Sequence, residues 1–196
     1  MSSYLRVEVP NAEEVVREMR RLLDAAPETI NKASAKAMNR TLRLIKNEAV
    51  KIARRTYTAN PRSLKKRAKI TKATSKRQYA CLEIKDRNGI GLINFASRPG
   101  NVLSWKGVAP KKRKKFVTNK VRRDGKRRVF NDHGSPFVAK ADNKKHIFYR
   151  DGRDKLKRLY GPSLIYALFG AGKELESHAD EAFSRLFKEE LDKILL

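Results

Sequence analysis

The sequence predicts an α+β protein, and three observations predict it. A long amphipathic helix lies in the first third, apolar periodicity returns to helical spacing at the C-terminus, and short apolar runs separated by turn dipeptides lie between them. No strand–helix–strand alternation occurs, which excludes a doubly wound parallel sheet. At 196 residues the chain suits one domain of ordinary size with its own core. The expected organisation is a single α+β domain over 1–196: a helical part at 10–56, an antiparallel sheet at 57–160 with a long basic loop at about 97–130, and C-terminal helices at 161–196.

Asn11-Ala-Glu-Glu14 reads as a capping box that opens a short helix with Val15, Val16, Met19, Leu22 and Leu23 on one face. Pro27 after Ala25-Ala26 ends it and can serve as the first residue of the next helix. Over 28–56, Ile30, Ala33, Ala37, Met38, Thr41, Leu44, Ile45, Ala49 and Ile52 fall in one stripe. Lys32, Lys36, Arg40, Arg43, Lys46, Lys51 and Arg54 lie on the other side. Tyr57-Thr-Ala-Asn-Pro61 breaks this helix, and 63–68 can make one further turn.

The period then changes. Strands are expected at 70–74, 79–85, 90–96, 116–121, 127–130, 137–140, 145–150 and 156–160. Asn88-Gly89, Asp124-Gly125 and Asp151-Gly152 are pairs favoured in tight hairpins, so an antiparallel meander is expected. Pro162-Ser163 starts a helix through about Phe169, Gly170-Ala-Gly172 bends the chain, and a last helix from Lys173 to about Leu195 aligns Leu175, Ala179, Ala182, Phe183, Leu186 and Phe187.

Charge is the informative part of the composition. The net +26 arises from 47 basic and 21 acidic residues, and it is concentrated: residues 40–128 hold 29 bases and four acids, while 1–39 are balanced and 136–196 carry only +2. A solvated face would mix both signs, so this middle predicts a polyanionic partner. The candidate contacts are Arg40, Arg43, Lys46, Lys51 and Arg54 on the long helix, then Lys65, Lys66 and Arg67. The basic loop adds Lys111, Lys112, Arg113, Lys114, Lys115, Lys120, Arg122, Arg123, Lys126, Arg127 and Arg128. Three readings of that loop stay open: a solvated segment, contact with nucleic-acid phosphates, or contact with acidic protein surfaces. The few aromatics there, Trp105, Phe116 and Phe130, give little support to base stacking, and no helix poised to read bases is evident.

Enzyme readings lack parts. His133, His146 and His178 sit in no metal-binding pattern, and a single cysteine, Cys81, allows neither an intrachain disulfide nor a four-thiolate site. Glu48, Glu83, Asp86 and Asp124 are scattered through the basic middle, whereas a nuclease needs converged metal ligands. Gly89-Ile-Gly91 lacks the third glycine of a dinucleotide fingerprint and reads as a turn. No catalytic residue, cofactor site or metal site is therefore expected. The start lacks the apolar stretch of a secretory signal, and the longest apolar run, 164–172, is too short to span a membrane, so a soluble protein of a reducing compartment is expected.

Phe137-Val-Ala-Lys140, then Ile147-Phe-Tyr-Arg-Asp-Gly152, then Leu159-Tyr-Gly-Pro-Ser163 leading into a helix, resembles the minor tail protein Z family of lambda-like long-tailed bacteriophages and prophages. Ala37-Met-Asn-Arg40, Ser63-Leu-Lys-Lys-Arg67 and the basic centre fit the same family, and the resemblance spans roughly 28–170. It marks Phe137, Arg150, Gly152, Gly161, Pro162 and Ser163 as structural devices: a hairpin closure and a turn that leads into a capped helix. The resemblance implies a non-enzymatic tail-completion or connector protein at the head-proximal end of the tail, aiding head–tail joining and DNA placement. Its implied partners are other tail proteins (terminator, tube or tape-measure) and, non-specifically, DNA. It further implies a homo-oligomeric ring, no membrane, and a passage from bacterial cytoplasm during assembly to the virion tail. The alternative is a sequence-independent nucleic-acid-binding protein.

Overall fold

A computed structural model describes residues 3–8, 14–18, 27–86, 89–98, 118–126, 128–129, 136–142, 144–151 and 155–195. Helices and antiparallel sheets alternate irregularly, as an α+β chain requires. The chain folds into two compact units, each assembled from separated stretches: 1–52, 65–85 and 168–196 form one, and 53–64 with 86–167 form the other.

The first unit is built on α2 (Pro27–Thr56), which follows a helical segment α1 at 14–18. Pro27 opens α2 because its missing N–H is one that a first turn leaves unbonded anyway. Glu28 in that turn sits 2.9 Å from Lys32, one turn on. Ile30, Ala33, Ala37, Met38, Thr41, Ile45, Ala49 and Ile52 are buried, as their spacing predicts, but so are Ser34, Ala35, Leu42, Val50 and Ala53. At 100° per residue the buried arc from Ala37 to Ala53 is about 160° wide, and Ala33 and Val50 widen it further. The helix is therefore covered over much more than one stripe. Leu44, expected within the stripe, is 43% exposed.

β1 (Ser3–Glu8), β2 (Ala68–Thr71) and β3 (Cys81–Asp86) form a sheet of order β1-β3-β2, with β2 and β3 antiparallel from Ala68↔Ile84 to Thr71↔Cys81. Sequence periodicity did not predict β1. Leu82 and Ile84 are fully buried, and Lys69 and Glu83 alternate with them. α5 (Gly172–Leu195) contacts β1 and buries Leu175, Ala179, Phe183, Leu186 and Phe187. The rings of Phe183 and Phe187, one turn apart, stack at 5.4 Å.

Among the described residues the second unit contains three small antiparallel sheets. β4 (Ile90–Gly91) pairs with β11 (Tyr160–Gly161). β5 (Ala96–Arg98), β6 (Thr118–Lys120) and β7 (Arg128–Val129) form the second, with β6 central. β8 (Phe137–Ala141), β9 (Lys144–Asp151) and β10 (Lys155–Arg158) form the third, with β9 central. Of the three turn dipeptides, Asp124-Gly125 lies between the paired strands β6 and β7, and Asp151 is the last residue of β9, opposite Lys155 of β10. Asp142, at φ 52°, makes the β8–β9 turn in the left-handed region that Asp tolerates, a signal the sequence pattern did not single out.

The expected antiparallel pairing of consecutive strands is present in β5-β6-β7 and β8-β9-β10, divided among separate sheets. Asn88-Gly89 does not join paired neighbours: β3 pairs within the first unit's sheet, and β4 pairs with β11, about seventy residues on. The cause is local. Gly89 has φ +72° and lies so close to the Gly161 carbonyl oxygen that a Cβ would collide with it. A Cβ at Gly161 would stand 2.5 Å from Cε2 of Phe95. Two glycines thus allow a close crossing of distant segments in place of a hairpin.

Candidate cationic binding site

The cations expected on α2 divide into two sets. Arg40 reaches α5, its Nη1 donating to Glu190 Oε1 at 2.7 Å and Nη2 to Glu189 Oε2 at 3.1 Å. Lys46 Nζ donates to the Ala68 carbonyl at 2.6 Å, and burial, then the neighbouring Lys65 charge, lowers the pKa of its ammonium. These two are tied into the first unit. Lys51 pairs with Glu48 at 2.8 Å. Arg43 and Arg54 are exposed, as are Lys65 and Lys66 in the last turn of α3 (Pro61–Arg67). Among the described residues no ion pair engages those four, and α3's last carbonyls favour the cations there. Arg67, half-buried, makes interactions of its own.

In the second unit the chain leaving α2 runs antiparallel to the stretch after β6. Thr58 N–H donates to the Val121 carbonyl at 2.8 Å, Arg123 N–H to the Thr56 carbonyl at 2.8 Å, and Tyr57 pairs with Arg122. This places Arg122, Arg123 and Lys126, all exposed, on one turn with Asp124. Arg122 Nε and Nη2 donate to the two Asp124 carboxylate oxygens at 3.1 and 3.0 Å. Lys120 is half-buried, and its carbonyl accepts from the Thr58 hydroxyl. Arg128 lies in β7, whereas Lys111, Lys112, Arg113, Lys114, Lys115 and Arg127 lie outside the described residues, and so does the bulk of the expected loop.

Beside that turn is a groove of about 460 Å³ lined by Tyr57, Asn119, Val121, Arg122, Gly125, Lys126, Pro162 and Tyr166. Tyr57 is almost covered and Tyr166 is 69% exposed. Burial, then Tyr166, raises the pKa of the Tyr57 phenol, and Arg122 opposes this. Asn119 is buried and donates from Nδ2 to the Leu92 carbonyl at 2.8 Å. Of these eight residues, sequence patterning singled out Arg122 and Lys126 as contacts, Gly125 as part of a turn and Pro162 as a structural device. The aromatic walls were missed because nothing local links Tyr57 to Arg122.

The expected structural devices are placed as follows. The Phe137 ring stacks on Phe148 at 6.2 Å, with the Arg150 guanidinium 5.9 Å from its centroid. Ser163 Oγ accepts from Tyr166 N–H at 3.0 Å and so caps α4 (Leu164–Ala167), directly after Gly161-Pro162. Gly152 lies outside the described residues. Cys81 is buried, and among the described residues no cluster of three or more His, Cys, Asp or Glu could hold a metal ion. His146 is half-buried beside Phe148, and burial, then Arg158, lowers the pKa of its imidazole. His133 lies outside the described residues. No described helix is long and apolar enough to cross a membrane.

A family model described as prophage minor tail protein Z (GPZ) matches residues 11–196. The chain belongs to the prophage minor tail protein Z family. The match extends past the 28–170 stretch where the resemblance was legible, taking in the first helical segment and all of α5. No curated protein and no solved structure matches the chain. As a minor tail protein Z family member the chain is a structural component of a phage tail, and its cationic surface is a property of that component.

Proposed function

We propose that this minor tail protein Z family member acts without catalysis at the head-proximal end of the tail, as a tail-completion or connector subunit that aids head–tail joining and DNA placement. In this reading the subunits form a homo-oligomeric ring, assembled in the bacterial cytoplasm and retained in the virion tail. The observation that carries it is the family match together with the four exposed bases Arg43, Arg54, Lys65 and Lys66, which no ion pair engages among the described residues. Cations kept free of internal partners in a protein of net charge +26 favour attraction to an acidic tail subunit or to DNA.

The test is to replace these four with glutamine in one variant and the bases at 111–115 in another, then examine assembly. The expected result is folded protein with fewer joined heads and tails and a reduced infectious titre. Fully infectious particles from both variants would overturn the proposal. The second reading, sequence-independent nucleic-acid binding, is favoured by the 29 bases and four acids at 40–128. It predicts tight binding to duplex DNA, with a salt slope that falls by about 0.9 for each phosphate contact removed.

A further inference from the structure

We infer that the groove between Tyr57 and Tyr166 is a docking site for a segment of a partner protein that carries an apolar side chain flanked by carboxylates. This rests on the proposed reading that the chain assembles with other tail proteins, and it names the chemistry of one such contact. The walls include Val121, Pro162 and the two tyrosines, and about 460 Å³ holds one aromatic side chain with its adjoining backbone. A desolvated anchor in such a pocket, ringed by polar groups, is how protein interfaces concentrate their affinity. The rim supplies the charge complement. Lys126 is exposed, and the pair with Asp124 engages Nε and Nη2 of Arg122, which leaves its Nη1 group for an incoming carboxylate.

The same features disfavour a nucleic-acid strand here. A phosphodiester chain brings one negative charge per nucleotide and is held by a track of cations. Among the described residues the groove is lined by two cations, Arg122 and Lys126, one of them already paired with Asp124, and two cations do not make such a track. Carboxylates on either side of an apolar anchor match those two cations better.

Fluorescence anisotropy of the full-length protein with labelled Gly-Asp-Phe-Asp-Gly tests this, with Gly-Asp-Ala-Asp-Gly and a fifteen-residue oligothymidylate as comparison probes. The Phe peptide is expected to bind, and to lose about tenfold or more in affinity when its Phe becomes Ala or when the protein carries Tyr166→Ala. Lys126→Ala should weaken it mainly at low salt. Tyr166 is largely exposed, so an unchanged thermal melt will show that its variant folds. Lys36→Gln, exposed and outside the groove lining, should leave peptide affinity unchanged. Absence of peptide binding, equal binding of the Ala peptide, or displacement by oligothymidylate with the same dependence on Tyr166 would each overturn the inference. The two readings fail separately: normal particles from the assembly variants refute the connector role while peptide binding stands, and defective particles without peptide binding refute the groove alone.

Discussion

Arg40 Nη1 on α2 donates to Glu190 Oε1 on α5 at 2.7 Å, joining two helices through residues 150 apart in sequence. Glu190 is 8% exposed, and Lys193 holds the same oxygen at 2.8 Å. The contact turns a base on a strongly cationic helix into a structural tie.

Arg40→Met should therefore destabilise the protein. The Arg40 side chain is 41% exposed and Lys193 continues to compensate Glu190, so the cost is about 1–2 kcal/mol, below that of a fully buried pair. Urea unfolding should show a lower midpoint with an unchanged slope. Arg43→Met, at an exposed position without an ion pair, should stay within about 0.5 kcal/mol of the parent.

The Glu190 carboxyl is held below the ordinary carboxylate range, first by its hydrogen bond from Lys193 and also by Arg40, against the effect of burial. A carboxyl with a lowered folded pKa stabilises the fold at pH values above its unfolded pKa. That contribution is lost as pH falls below about 4.3 and through the folded value. Stability measured from pH 7 to pH 3 should drop less steeply in Glu190→Gln than in the parent, although the variant starts lower.

Asn39 accepts from Ala73 N–H at 3.0 Å and donates to the Ala73 carbonyl at 2.9 Å, a two-bond bracket on the chain after β2. Ala73 is 5% exposed, so Asn39→Ala leaves both backbone groups without that partner. The expected cost is about 1–3 kcal/mol, with faster amide exchange centred on Ala73.

Gly89→Ala should cost about 1–3 kcal/mol from the positive φ alone, and more from the clash with the Gly161 carbonyl. Thermal melting should reveal it. Gly170→Ala, also at positive φ (+84°) but with open space around a Cβ, should lose only the conformational part. If both lower the melting point equally, the close approach of Gly89 to Gly161 carries no weight.

By itself the sequence determined the helices and the charge. Pro27 and the helix-breaking stretch at Tyr57 to Pro61 bound α2, Ser163 caps α4, and 29 bases against four acids mark the middle of the chain, because propensity, capping and net charge are local properties. Asp124-Gly125 likewise falls between β6 and β7, whose strands are near neighbours in sequence. Tertiary structure alone decided what depends on distant partners. It paired β4 with β11, brought Tyr57 and Arg122 together in the groove, and brought Glu190 to Arg40. Leu44 shows the limit most simply. It projects within about 20° of Ala33 and Ala37 on the helix, yet they are buried and it is exposed, because periodicity gives the direction of a side chain and not what lies opposite it.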